Sequence, residues 1–139
     1  MDKPLDVLVL CTGNSCRSIL AEAMINQLGG GRYRAVSAGS RPTGAVHPEA
    51  LATLARHGID PGRPRSKSWD EFAGASFDLV ITVCDQAAHE SCPVFGGPGR
   101  RLHWSTPDPA AVNSSEAMVL AAFEAAYRLL RDRMAKELL

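Results

Sequence analysis

The chain has no surplus of charge: 15 lysines and arginines are matched by 15 aspartates and glutamates over 139 residues. That balance argues against an acidic tail and leaves no basic footprint for nucleic acid. Long apolar runs are missing as well. The apolar-rich stretch near the start, Leu5 to Leu10, is too short for a membrane span or a signal-peptide core. A cytoplasmic, monomeric protein with no membrane association is therefore expected. No internal repeat or low-complexity segment interrupts the chain. His47, His89 and His103 lack metal-ligand spacing to the cysteines, so none reads as a zinc ligand. What remains is an ordinary globular composition, long enough for one domain over residues 1–139 with its own core. Its four cysteines, reduced in the cytoplasm, read as chemistry or plain burial before structural disulfides.

Strand and helix patterns alternate along the chain. Leu5 to Leu10 has the aliphatic character of a strand buried on both faces. Leu20, Met24 and Leu28, with Ala21 and Ile25 beside them, predict a helix from Arg17 to Leu28, ended by Gly29-Gly30-Gly31. Tyr33 to Ala38 reads as a second strand. Pro48 suits the first turn of a helix carrying Leu51, Leu54 and Ala55, with Gly58 terminating it. Ser68 and Glu71 resemble a capping box for a short helix from Trp69 to Ala73. Phe77 to Val83 is a further buried strand, Cys84 to Gly99 a long loop, and Arg100 to Trp104 a fourth strand. Asn113 and Glu116 open a last helix with an apolar stripe of Val119, Phe123, Ala126, Leu130 and Met134. Its final turns are rich in arginine and lysine, which suits the helix dipole and a solvated face. The expected fold is α/β: a four-stranded, mostly parallel sheet with helices on both faces. Ligands in such folds sit beyond the carboxyl ends of the strands, where the Cys11 loop, the Cys84 loop and the segment after Trp104 all open.

Chemistry concentrates in Cys11-Thr12-Gly13-Asn14-Ser15-Cys16-Arg17-Ser18, between the first strand and the first helix. Gly13 and Asn14 tolerate unusual backbone angles, so the loop can curl with its amides facing inward at a helix N-terminus. That is a cradle for a tetrahedral oxyanion. Comparable settings lower a cysteine pKa from about 8.5 to between roughly 3.5 and 7.5, so a thiolate is expected at Cys11. Arg17 can grip two oxygens of the ligand through its planar fork. Ser18 can donate to the thiolate. The plainer alternative is a buried structural cysteine beside a surface arginine. Cys84 at a strand end could equally be core or chemistry. Trp69 and Trp104 read as core or rim aromatics.

These residues resemble the phosphate loop of low-molecular-weight protein tyrosine phosphatases and of the arsenate reductases that share their fold. Ser37-Ala38-Gly39 and Asp108-Pro109 match the same pattern, so the resemblance covers most of the chain. It implies an oxyanion site built from Thr12, Gly13, Asn14, Ser15, Cys16, Arg17 and Ser18, with Cys11 as nucleophile and Asp108 as general acid. The phosphatases commonly place aromatic residues just after Asp-Pro; here Ala110, Ala111 and Val112 follow. The reductases carry two further cysteines after the third strand, as Cys84 and Cys92 stand here. The overall resemblance is to thiol-coupled arsenate reductases. Val83-Cys84-Asp85, Cys92-Pro93 and His103-Trp104 carry it.

What this implies is reduction of arsenate to arsenite for detoxification, by attack of Cys11 followed by a Cys11/Cys84/Cys92 disulfide relay. Phosphate or sulfate would compete for the cradle. No bound cofactor is implied, but an external thiol reductant is: thioredoxin or glutathione/glutaredoxin. Seven residues separate Cys84 from Cys92, more than in the best-known thioredoxin-coupled type, which leaves the donor open. Cys16 reads as packing within the loop, with oxidation to Cys11 as a lesser alternative. Some relatives bind potassium near the loop. The corresponding residues here are Asn14, Glu22 and Ser37, with Ser66 and Ser68 further along and a serine in place of an expected aspartate. The alternative function is a low-molecular-weight phosphatase that hydrolyses phosphate monoesters through a Cys11 phosphoenzyme.

Overall fold

A computed structural model describes residues 3–84 and 99–139 of the chain. Four strands, β1 (Leu5–Cys11), β2 (Tyr33–Gly39), β3 (Leu79–Thr82) and β4 (Arg100–His103), form one sheet in the order β2-β1-β3-β4. Every neighbouring pair is parallel. The helices are α1 (Arg17–Leu28), α2 (Pro48–Arg56) and α3 (Glu116–Glu137), with short 3-10 turns at Trp69–Phe72 and Pro109–Ala111. Cys92, His89 and nearly all of the loop expected from Cys84 to Gly99 lie outside the described residues. Among the described residues no helix is long and apolar enough to cross a membrane.

β1 has a strand on either side and a layer on either face, which accounts for its unbroken aliphatic character. Val7 and Val9 face one layer, where Leu20, Met24 and Ile25 of α1, Leu54 of α2 and Phe123, Leu130 and Met134 of α3 close the core. Leu8 and Leu10 face the other, where Phe77, Trp69 and Phe72 cover the sheet. Helical structure thus covers both faces, and the second is covered by the 3-10 turn rather than a long helix. Trp104 is fully buried in the first layer.

Several local expectations are corrected. Leu28 and Ala55 are exposed. α1 buries Ile19, Ala21 and Ala23 as well as its stripe, because it lies over the centre of the sheet. In α2 Ala50 and Thr53 turn inward instead of Ala55. α3 starts at Ser115, whose Oγ accepts the Met118 amide at 3.1 Å; Asn113 lies outside the cap. β3 is shorter than expected, Leu79–Thr82, and Phe77 belongs to the core cluster on the second face.

The end of α2 is tied to α3 by one carboxylate. Arg56 Nε and His57 Nε2 meet Glu124 at 2.9 and 2.7 Å, and the His57 ring stacks on Tyr127 at 3.8 Å. Burial pushes the Glu124 carboxyl up, but the bonds from His57 and Arg56 outweigh it and leave it below its ordinary value. Its stabilisation is therefore complete above the unfolded value of about 4.3 and is lost as pH falls through the folded-state value. Glu124→Gln should lower the melting temperature by roughly 3–5 °C at neutral pH, about 1 kcal/mol for a partly exposed pair. The difference from the parent should close in acid. A gap of equal size at low pH would show that packing, not charge, is what Glu124 supplies.

Candidate active site

Strand register alone brings the sequence-derived residues to one edge. Cys11 pairs with Gly39, and Leu10 with Thr82, so β3 ends beside the Cys11 loop. Thr82 pairs in turn with His103, and the Thr106 amide donates to Val83 O at 3.1 Å. Cys11, Cys84 and the segment Ser105 to Asp108 therefore open together. A cavity of about 130 Å³ is lined by Cys11, Gly13, Asn14, Ser15, Cys16, Arg17, Thr43, Asp108 and Ala110. It adjoins one of about 550 Å³ lined by Thr12, Gly13, Arg17, Cys84 and Ser105 to Asp108.

The loop is held by its outer side. The carbonyls of Thr12, Gly13 and Ser15 accept the amides of Arg41, Thr43 and His47 at 2.9–3.0 Å, and Gly13 O also accepts Ser66 Oγ at 3.0 Å. Carbonyls turned outward leave amides turned inward, and the Gly13 amide pulls the Cys11 pKa down. The N-terminus of α1 is also left open. Its cap residue Cys16 makes no side-chain capping bond and its first turn has no acid, whereas His47, Ser68 and Ser115 cap their helices. Unsatisfied helix amides beside a thiol and a guanidinium form an anion site.

Cys11 is 4% exposed, and the neighbouring Cys84 sulfur lies 3.4 Å from Thr12 Oγ1. Cys11, Cys16 and Cys84 are all reduced. The expected depressed pKa is not found at rest. Cys84 is the largest cause pushing the Cys11 thiol up and burial the second; Arg17 and the Gly13 amide pull it down but do not prevail. Cys16 is pushed up chiefly by burial and meets Ser15 Oγ at 3.4 Å, in keeping with packing. Ser18, expected to donate to Cys11, is buried, and its Oγ accepts Asn14 Nδ2 at 2.8 Å, a bond that leaves its own hydroxyl proton available.

Arg17 is aimed by Thr106, whose carbonyl accepts Nη1 at 2.8 Å, and its Nη2 lies 3.9 Å from Asp108 Oδ2. Its Nε is buried with no hydrogen-bond partner. An orphaned buried donor costs about 1–3 kcal/mol, and an oxyanion oxygen would satisfy it. Asp108 Oδ1 accepts the Ala110 amide at 3.0 Å, so the carboxylate caps the short turn at Pro109 while facing the cavity.

Behind the loop, Asn14 sits at φ 46°, fully buried. Its Nδ2 donates to Ser18 Oγ and to Ser37 Oγ, at 2.8 and 2.9 Å, and its Oδ1 accepts the Lys67 amide at 2.9 Å. Ser37 Oγ donates to Glu22 Oε1 at 3.1 Å. These bonds test the potassium site. A cation needs oxygen lone pairs, but the backbone donor of Lys67 fixes the Asn14 amide with its N–H groups toward Ser37. Ser66 and Ser68 are also engaged, one on Gly13 O and the other capping Asp70. Asn14, Glu22 and Ser37 close on one another and do not fit a potassium ion.

The structure thus brings together Cys11, the loop Thr12 to Ser18, Cys84 and Asp108; Cys92 lies outside the described residues. Sequence reasoning missed Thr106, Thr43 and Lys67. Thr106 and Lys67 act through backbone atoms that carry no residue signal, and Thr43 is one loop threonine among many.

On this geometry the comparisons with known proteins can be set. Residues 6–138 match the family low molecular weight phosphotyrosine protein phosphatase, and the chain belongs to it. Within that class, it is 34% identical to an arsenate reductase of Halalkalibacterium halodurans, over 95% of this chain and 91% of the relative. It is 36% identical to an arsenate reductase of Bacillus subtilis, over 85% and 84% of the two chains. A solved arsenate reductase in a phosphate-binding state superposes with a TM-score of 0.69 at 26% identity, covering 95% of this chain and 98% of its own.

Two outcomes follow from the packing. A Cβ at Gly39 would lie 2.4 Å from Thr12 O and 2.8 Å from Cys11 O, both backbone atoms that cannot swing aside. Gly39→Ala should cost about 1–3 kcal/mol in chemical denaturation, and parent-like stability would mean the loop does not rest on β2. Removing the Cys84 thiol should lower the Cys11 pKa. The pH midpoint of Cys11 alkylation, followed on its own peptide, should move down in Cys84→Ala; an unchanged midpoint would remove Cys84 as the cause.

Proposed function

We propose that this chain reduces arsenate to arsenite, with Cys11 as nucleophile and an external thiol as final reductant. The observation that carries the proposal is the buried Cys84 thiol beside Cys11, 3.4 Å from Thr12 Oγ1 at the mouth of the oxyanion loop. A hydrolase has no use for a second thiol there. A reductase needs one.

The chemistry proceeds in balanced steps. Arsenate enters the cradle and its oxygens meet the loop amides and Arg17. The Cys11 thiolate attacks arsenic, a sulfur–arsenic bond forms, and one oxygen leaves as water with a proton from Asp108. Cys84 then attacks the Cys11 sulfur. The sulfur–sulfur bond forms, the sulfur–arsenic bond breaks, and its electron pair passes to arsenic, which departs as arsenite. Cys92 attacks Cys84, frees Cys11 as a thiolate and carries the disulfide outward to Cys84–Cys92. Thioredoxin or glutathione/glutaredoxin returns the two electrons.

The resting placement of Cys84 beside Cys11 suits this order. It keeps the second thiol adjacent to the sulfur it must attack, so proximity is supplied before the adduct exists. The cradle, Arg17 and Asp108 would also support hydrolysis of small phosphate esters as a side activity. The residues after Pro109, Ala110, Ala111 and Val112, give no aromatic wall for a phosphotyrosine ring.

Purified protein with arsenate should produce arsenite when thioredoxin with its reductase, or glutathione with glutaredoxin, is supplied in separate reactions. Cys84→Ser and Cys92→Ser should each reduce turnover by about 100-fold or more, because each breaks the relay. Arsenate-dependent modification of Cys11 should survive in both. Parent-rate turnover in both single variants would overturn the relay, and efficient aryl phosphate hydrolysis without arsenite formation would favour the phosphatase.

A further inference from the structure

The reaction above makes no use of Ser66, yet its hydroxyl is shared between two loops of the site. Ser66 Oγ donates to Gly13 O at 3.0 Å and accepts the Gly44 amide at 3.1 Å. The directions are forced. A backbone amide can only donate, so Gly44 occupies an oxygen lone pair and the single hydroxyl proton is left for the carbonyl. Ser66 is half-buried, and the residue after it, Lys67, gives its own amide to Asn14 Oδ1 at 2.9 Å.

Gly13 O is held more firmly than its neighbours in the loop. Thr12 O accepts the Arg41 amide and Ser15 O the His47 amide, whereas Gly13 O accepts the Thr43 amide, at 3.0 Å, and the Ser66 hydroxyl together. Both lone pairs of this carbonyl are engaged. The placement has a local cause. The next residue is Asn14 at φ 46°, a backbone conformation that a side chain disfavours and only the surroundings maintain. The peptide between them is trans, so a carbonyl drawn outward turns the Asn14 amide the opposite way, toward the cavity that Gly13 and Asn14 line. A carbonyl that accepts also polarises its peptide and makes that amide a better donor. The same hydroxyl reaches Gly44, whose neighbour Thr43 lines the cavity and whose Cγ2 would lie 3.3 Å from a Cβ at Gly13. One hydroxyl therefore bears on the curl of the loop and on the wall facing it.

We propose that Ser66 is a positioning residue for anion binding: its hydroxyl pins the Gly13–Asn14 peptide so that the Asn14 amide meets the bound oxyanion, and ties that peptide to the Thr43 turn. The proposal rests on the oxyanion-loop reading of the proposed function but not on arsenate being the substrate.

Inorganic phosphate is the probe, titrated into the reduced full-length protein, with the phosphate-free melting temperature as second readout. Ser66→Ala should weaken phosphate binding about three- to tenfold, the worth of one hydrogen bond. Its phosphate-free melting temperature should fall by no more than about 4 °C, because water can replace Ser66 at the exposed Gly44 amide while Thr43 still holds Gly13 O. Ser66→Thr, which keeps the hydroxyl, should bind phosphate as the parent does. Parent-like affinity of Ser66→Ala would overturn the proposal. So would a loss that Ser66→Thr shares in full, or a larger fall in phosphate-free melting temperature, which would make Ser66 part of the scaffold alone. If the parent binds no phosphate, the oxyanion-loop reading fails and this one with it. A protein whose phosphate binding depends on Ser66 but which forms no arsenite loses only its assigned substrate.

Discussion

The catalytic edge depends on one close approach: the Cys11 loop lies against Gly39, the residue paired with Cys11 across the sheet. Only a residue without a Cβ lets the carbonyls of Cys11 and Thr12 come that near. Once the loop is against β2, amides from residues 41 to 47 take its outer carbonyls and its own amides turn toward the thiol. Asn14, in the left-handed region and fully buried, locks the curl from behind with three hydrogen bonds. Anion-binding geometry is thus fixed before any anion arrives, and little reorganisation is left to oppose binding.

A second constraint is the placement of two thiols. β1 and β3 are adjacent and parallel, so the residues just past their ends meet whatever the loops beyond them do. Cys11 belongs to the rigid end of β1 and Cys84 follows Val83, whose amide is bonded to Leu10. The pair is held by the sheet rather than by a loop. The cost is a resting Cys11 thiol that gives up its proton less readily than an isolated cysteine in an anion cradle. Proximity of a second thiol and ease of ionisation pull in opposite directions, and this fold favours proximity.

Much of this was legible in the chain. The aliphatic run before Cys11, the glycine and asparagine in the loop, and Arg17 at the start of a helical period determine strand, curl and helix by local rules. Parallel order follows from strand–helix alternation. The pairing of Cys11 with Gly39 was not readable, because register is a tertiary outcome. Nor was the role of Lys67, which grips Asn14 through a backbone amide that any residue would supply. The Cys11 pKa was misjudged for the same kind of reason. The local features that lower it are written in the loop, whereas the neighbour that raises it comes from a strand 73 residues later. Ser115 displaced Asn113 as the cap of α3 because two candidate caps lie within one turn and only packing of the helix chooses between them.

The uncapped start of α1 has a thermodynamic meaning. Other helices in the described residues carry their own cap; α1 leaves its amides to whatever anion arrives. A tetrahedral oxyanion bound there would be a detachable part of the secondary structure, and its binding energy would also be folding energy. The fold's resistance to unfolding would then rise and fall with the supply of such a ligand.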